Sequence, residues 1–372
     1  MNHSTNQDLP LVSICIPLYN KVKYIERTIQ MALGQTYPNL EIVINDNASN
    51  DGSDAIVRQY QALDSRIKYH RLDHTLPIYH NWQYVLLSAK GDYLHLLCAD
   101  DCISSDFIQE MMKPLLENPA IDFTRCNVQP LFECEVSSEF TQEINSGFAA
   151  ANNFNQDLLS ISNKIDRVVK IGQHCGWANY FGSMVCVLFK RSCLPIKDWT
   201  TPVGSLSCRS HPDWDILTRI HLNHTGHYLE QNLAQFSYNP SGDALIQQGE
   251  KFDNKMRAVI ADFLMPFTML SDPSLSDIRQ HMSVEVKSKL KEITRHHLQK
   301  IYEVADNIDY YTKEKNYKTS EIDRLTELSY IDKNNLRPLI SIVVPCYNHG
   351  VFLQEAIESV VNQTYQIGRA HV

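Results

Sequence analysis

Short apolar runs alternate with amphipathic stretches along the N-terminal part of the chain. Leu11 to Pro17 is a β-branched run closed by proline, which predicts a buried first strand. Tyr24, Ile25, Thr28, Ile29, Ala32 and Leu33 recur at helical spacing. Tyr37-Pro38-Asn39 ends that helix, and Leu40 to Ile44 predicts a second strand running into Asn45-Asp46-Asn47. Asn50-Asp51-Gly52-Ser53 reads as a turn and cap before a helix from Ala55 to Leu63. A shorter strand at Ile67 to Leu72 precedes a helix from Pro77 to Ala89, with Lys90-Gly91 as its stop. Tyr93 to Leu97 predicts a strand buried on both faces, and it runs straight into Asp100 and Asp101. Strands alternating with helices imply a parallel sheet with helices on both sides.

Beyond the two acids the pattern predicts a helix from Phe107 to Leu116 and a strand from Ile121 to Phe132. Glu133 to Asn155 is polar, rich in Ser and Asn and weakly periodic, so a variable loop is expected. Met184 to Phe189 is an apolar run. Pro212-Asp213-Trp214-Asp215-Ile216-Leu217 opens a helix with Ile216, Leu217 and Ile220 on one face, and Tyr228 to Tyr238 is strand-like. From Phe252 to about Leu328 the chain is charged and mostly helical in pattern. That stretch reads as a connector with a solvated face.

The chain repeats itself. Ser13-Ile14-Cys15-Ile16-Pro17-Leu18-Tyr19-Asn20 returns as Ser341-Ile342-Val343-Val344-Pro345-Cys346-Tyr347-Asn348. Gln35-Thr36-Tyr37 returns as Gln363-Thr364-Tyr365, at the same distance from the proline. Two motifs at one spacing imply a duplicated domain. The second copy covers one strand and one helix, too little to bury a core. The expectation is a truncated tandem protein whose last residues, Ile367 to Val372, do not continue the repeat.

Composition narrows the function classes. The 372 residues are 43% hydrophobic and 21% charged, enough for two domains, and the formal net charge is −9. No global basic field exists to attract nucleic acid. No apolar run is long enough to span a membrane, and Met1 to Pro10 lacks the apolar core of a signal peptide. The ten cysteines are scattered without a Cys-x-x-Cys pair, which suggests buried free thiols in a reducing cytosol. His221, His224 and His227 read as surface and helix-end residues rather than a zinc site.

The chemistry starts from Asp100 and Asp101. Open α/β sheets bind ligands outside the carboxyl ends of their strands. Two carboxylates there can hold a divalent cation through oxygen, and Asp is equally a common turn former.

In order and spacing, five segments resemble the family-2 glycosyltransferases of GT-A fold. They are Ser13 to Asn20, Ile42 to Gly52, Ala89 to Tyr93, Ala99 to Asp101 and Pro212 to Leu217. The resemblance covers roughly residues 10 to 245 and the start of the second copy. It implies a Rossmann-like α/β domain, a mostly parallel sheet flanked by helices, over 11–245. Residues 11–106 would form its nucleotide-binding half and 107–245 its acceptor half. A flexible N-terminus (1–10), a helical connector (246–336) and the truncated second copy (337–372) complete the chain.

By the same resemblance Pro17, Tyr19 and Asn20 line the nucleotide pocket, Pro17 being also a plain strand terminator. Asp46 accepts hydrogen bonds from the base, or is an Asx-turn. Asn47 stands where the family has Gly and would tolerate a left-handed backbone. Asp100 touches the diphosphate and, with Asp101, a Mn²⁺ or Mg²⁺ ion. Cys98 replaces a further acid, and a thiol is a poor ligand for these metals. Asn239 replaces a family His at the metal. Asp213 is the implied catalytic base, or only a helix cap. Trp177 and Trp214 are candidates for the acceptor side.

The implied activity is inverting transfer of a sugar from a UDP- or dTDP-type donor to a glycan or lipid-linked hydroxyl in surface polysaccharide synthesis. It would take place in the cytoplasm at the inner face of the membrane. The reading admits peripheral membrane association and oligomers through the connector. A non-catalytic nucleotide- or carbohydrate-binding module is the first alternative. A nucleotidyltransferase is the second, although Leu18-Tyr19-Asn20-Lys21 lacks the glycine its phosphate loop needs.

Overall fold

Val12–Leu18 forms β1, and all seven of its residues are buried. In the computed structural model, which describes residues 9–76, 78–174, 183–194, 212–239, 280, 283–288 and 292, this strand lies inside an eight-stranded sheet. Burial on both faces is why its sequence is apolar on both faces, Ser13 apart, rather than alternating. It pairs in parallel with β2 (Leu40–Asp46) on one side and β4 (Tyr93–Leu96) on the other. β3 (Ile67–Arg71) extends the parallel set beside β2. The remaining strands are β5 (Cys102–Ile103), β6 (Phe123–Phe132), β7 (Val187–Lys190) and β8 (Gly226–Tyr238), and the sheet order is β3-β2-β1-β4-β7-β6-β8-β5. β7 runs antiparallel to both β4 and β6, β8 is parallel to β6, and β5 is antiparallel to β8. The expected α/β architecture is present, with a fully parallel first half and a mixed second half.

The helices α1 (Ile25–Leu33), α2 (Ser53–Leu63), α3 (Ile78–Ser88) and α4 (Phe107–Glu117) stand where the periodicity puts them. In α1 the buried residues are Ile25, Thr28, Ile29 and Ala32, the predicted stripe. Gly91 has a different role from the expected helix stop. A Cβ there would come within 2.6 Å of the Ser13 nitrogen and 2.8 Å of the Leu11 carbonyl. Gly91 is therefore needed where the chain passes against β1 on its way into β4.

Two of these expectations are corrected. The loop expected over Glu133 to Asn155 is mostly helix, α5 (Ser138–Ser160), capped by Ser137, whose hydroxyl accepts from the Phe140 N–H. Its buried stripe is sparse (Ala151, Phe154, Asn155, Leu158), so the polar residues around it mask the period. α6 (Lys164–His174) was not anticipated. The apolar run from Met184 divides into a 3-10 turn, Met184–Cys186, and β7. The second correction is His221, on α7 (Pro212–Asn223): it is fully buried, not a surface residue, with its ring edge-on to Phe123. His227 is exposed as expected.

Cys15, Cys98, Cys102, Cys126, Cys134, Cys186 and Cys193 are free thiols. Among the described residues no helix is long and apolar enough to cross a membrane. Trp177, the second copy (337–372) and all of the connector except 280, 283–288 and 292 lie outside the described residues.

Candidate functional site

β1, β2 and β4 lie side by side and parallel, so their carboxyl ends open into one crevice. Each supplies a loop. Asn20, after β1, has φ +50, a left-handed conformation that Asn tolerates. Its N–H donates to Ser49 Oγ at 3.0 Å, and its Oδ1 accepts from the Asn50 N–H at 2.9 Å. The Lys21 N–H donates to Ser53 Oγ at 3.2 Å. The β1 loop is thus laced to the β2 loop, with Tyr19 left exposed beside it. Pro17 lies within β1 opposite Asn45, one residue before the strand ends, so it does not terminate it. The left-handed residue in the β2 loop is Ala48, at φ +57, rather than Asn47. Asn47 instead clamps the chain before α3, accepting from the Leu76 N–H at 2.7 Å and donating to the Leu76 carbonyl at 2.8 Å.

Asp46 is completely buried. Its Oδ2 accepts from Tyr69 OH at 2.7 Å and from Arg71 Nη1 at 2.6 Å, and its Oδ1 accepts from the Ser49 N–H at 2.8 Å. Burial, and next the bond to Asp46, hold the Tyr69 phenol well above its ordinary pKa. The carboxylate is satisfied within the chain, and it presents Arg71 and Tyr69 at the end of β3.

Asp100 and Asp101 are adjacent in sequence and diverge in space. Asp100 Oδ2 accepts from Lys21 Nζ at 2.7 Å and from Asn239 Nδ2 at 3.1 Å. Asp101 is 1% exposed and faces β8, where its Oδ1 accepts from the Ser237 N–H at 2.9 Å. Burial, and next the Asp100 charge, push the Asp101 carboxyl well above the usual range. Arg27 holds the turn from below, donating to the Asp100 carbonyl at 2.8 Å and pairing with Glu133. Glu133 in turn accepts from Ser237 Oγ at 2.6 Å.

Cys98 is next to this turn. Burial raises its thiol pKa, and the charges of Asp101, Asp100 and Asp213 raise it further. Asp213, in the first turn of α7, is therefore close enough for its charge to be felt at the end of β4. The charges of Asp100, Asp101 and Asp213 are all felt at this one thiol. The side chain of Trp214 lies outside the described residues.

These residues do not fit a divalent cation as they are arranged. Asp100 Oδ2 carries both an ammonium and an amide N–H, Asp101 faces inward, and the nearby thiol is pushed toward its protonated form. Hard cations take oxygen ligands, and among the described residues no group of three or more His, Cys, Asp or Glu side chains could hold a metal.

Lys21, Arg27, Tyr69, Arg71, Glu133 and Ser237 are the site residues that the sequence reading did not single out. Lys21 carried the one available signal, a cation directly after the Tyr19-Asn20 motif.

Residues 13–163 match the family model described as Glycosyl transferase family 2. The chain is 34% identical over 116 residues to a Bacillus subtilis glycosyltransferase named for teichuronic acid biosynthesis, covering 31% of this chain and 46% of that one. It is 28% identical over 134 residues to a Campylobacter jejuni GalNAc(5)-diNAcBac-PP-undecaprenol beta-1,3-glucosyltransferase, covering 36% and 43%. The matched stretch spans less than half the length of these curated relatives. Among solved structures, a Pyrobaculum calidifontis mannosyltransferase in complex with GDP-Man and Mn²⁺ is 14% identical over 87% of this chain and 80% of that one, with a TM-score of 0.48. Staphylococcus aureus TarS 1–349 in complex with UDP-GlcNAc is 14% identical over 91% and 98%, with a TM-score of 0.47.

Proposed function

We propose that the domain over 11–245 transfers a sugar from a nucleotide-diphosphate donor to an acceptor hydroxyl, with inversion at the anomeric carbon. The observation that carries this reading is the Asp100 turn at the neighbouring carboxyl ends of β1 and β4, tied to Lys21, with Asp213 in the first turn of α7 near enough for its charge to reach Cys98. The family match over 13–163 supports it. A crevice with an exposed Tyr19, the Asn20 loop and the Arg71–Tyr69 pair that buried Asp46 holds suits a nucleotide base and ribose.

In this reading Asp213 takes the proton of the acceptor hydroxyl as its oxygen attacks the anomeric carbon. The bond from that carbon to the diphosphate breaks, and its electron pair leaves with the diphosphate. The leaving diphosphate gathers negative charge at the ends of β1 and β4, where fixed positive groups stabilise it most. Asp101 packs β8 against this turn and so fixes where Asp100 stands.

A UDP- or dTDP-type donor is the class proposed, with a glycan or lipid-linked acceptor in surface polysaccharide synthesis. The acceptor class follows the Campylobacter relative, whose name gives an undecaprenol-linked glycan. Such acceptors place the work at the inner face of a membrane, in the cytoplasm.

The test is release of nucleoside diphosphate from a panel of nucleotide sugars incubated with the protein and undecaprenol-linked glycans. Release with one donor, dependent on acceptor, is the expected result. Binding of a nucleotide sugar without release under any condition would identify a non-catalytic module instead.

A further inference from the structure

We propose that Lys21 supplies, from within the chain, the positive charge that a divalent cation would otherwise bring to the donor diphosphate. Nucleotide binding then runs without metal. This inference rests on the transferase reading above.

Position comes first. Lys21 follows β1 by three residues, Asp100 follows β4, and the two strands are parallel neighbours. Their carboxyl ends meet where a diphosphate would lie. The left-handed turn at Asn20 and the bond from the Lys21 N–H to Ser53 Oγ fix the lysine backbone. The side chain has a defined seat: Nζ lies 2.7 Å from Asp100 Oδ2, and the pair is only 18% and 15% exposed. A lysine waving in solvent would lose more rotamer entropy on meeting a ligand than one already seated.

Chemistry comes second. A cation bound at Asp100 Oδ2 would have to displace the ammonium and the Asn239 amide, and one bound at Oδ1 would sit on the same carboxylate as that ammonium. It would also sit within contact range of a like charge, which is strongly unfavourable in a site shielded from water. Asp101 offers no relief, because its carboxyl is buried against β8. Lysine is a natural phosphate ligand acting as a point charge. Arg27 completes the arrangement by holding the Asp100 carbonyl, so the turn that carries the acid does not shift when an anion arrives.

The experiment uses the full chain, Lys21→Met and Asp100→Asn, each checked for folding by circular dichroism. Uptake of Mn²⁺ is read by electron paramagnetic resonance, and binding of UDP, dTDP and GDP by calorimetry in EDTA and in Mn²⁺. Wild type is expected to leave Mn²⁺ free, whereas Lys21→Met takes it up at the vacated acid. The best nucleotide should bind wild type within about threefold equally in EDTA and in Mn²⁺. Lys21→Met in EDTA should lose roughly tenfold to a hundredfold, the worth of a charge-assisted bond. Mn²⁺ uptake by wild type that Asp100→Asn abolishes overturns the proposal. So does a rise of more than about tenfold in wild-type nucleotide affinity on adding Mn²⁺, or full EDTA affinity in Lys21→Met. If no form binds any nucleotide, the transferase reading fails and the Mn²⁺ titration alone decides. Uptake by Lys21→Met only supports the replacement, and uptake by wild type or by neither form refutes it.

Discussion

The side-chain amide of Asn239 donates to Oδ2 of Asp100 at 3.1 Å, joining the end of β8 to the loop after β4. The same amide reaches Ser237 Oγ at 3.1 Å, and the Ser237 N–H holds Asp101. The end of β8 is therefore a latch over the acidic turn. Asn239 is buried, so Asn239→Leu removes bonds that water cannot replace. The expected loss is about 1.5–3 kcal/mol, the range for a hydrogen bond to a charged group. Urea unfolding measures it, and weakened nucleotide binding should accompany it. Unchanged stability together with unchanged binding would mean that the latch is dispensable.

Gly91 gives a second prediction. A Cβ there would meet Ser13 Oγ and, at 2.6 and 2.8 Å, the backbone Ser13 nitrogen and Leu11 carbonyl, which cannot swing aside as a long side chain can. Its N–H also donates to Ser13 Oγ at 2.7 Å and to Glu41 Oε1 at 3.2 Å, so moving it breaks buried bonds. Gly91→Ala is expected to destabilise the domain by about 1–3 kcal/mol, as overpacking does. A thermal midpoint equal to wild type would count against this account.

The base assignment predicts a split between binding and chemistry. Asp213→Asn keeps the shape of the side chain and removes its capacity to take a proton. Transfer should fall by roughly a hundredfold or more, the usual contribution of a general base, while donor affinity stays within about twofold. Initial rates and donor calorimetry on the same preparation separate the two. Equal loss of both would mark Asp213 as a structural residue of the first turn of α7.

Much of the fold was legible in the chain because its cause is local. β1, β2 and β4 are β-branched or apolar runs, and α1 and α4 carry dense stripes, so the alternation shows. α5 was hidden because its buried face is interrupted by Asn155 and surrounded by Ser and Asn. β5, with two residues, exists only through its pairing with β8. The site was legible in residue types and less so in pairings. Asp100 and Asp101 read as one pair of ligands, yet neighbours along a chain point apart. One meets Lys21 and the other Ser237, 79 and 136 positions away in sequence. Nothing local announces such partners. The buried state of Asp46 was equally invisible, since it depends on Tyr69 and Arg71 from another strand.

His95 makes the fold acid-sensitive. It sits fully buried on β4, where its Nδ1–H donates to the Val187 carbonyl at 2.9 Å and its ring packs on Phe107. Burial pushes its pKa down to about 4, from an ordinary value of 6.5. Between those two values the unfolded chain binds a proton that the folded chain refuses. Stability therefore rises with pH across the window, and it is lost as pH falls from about 6.5 toward 4. At 1.36 kcal/mol per pH unit, the loss from this residue amounts to about 3 kcal/mol by the lower end. His221 is lowered well below its ordinary value too, also by burial, and adds in the same direction. His95→Asn keeps a donor for Val187 and cannot titrate. It should be less stable than wild type at pH 7, because the smaller side chain leaves a cavity. Its stability should also fall less steeply on acidification, so the two unfolding free energies converge between pH 6.5 and 4. Urea titrations of both proteins across that window test this, and parallel curves would remove His95 as the cause.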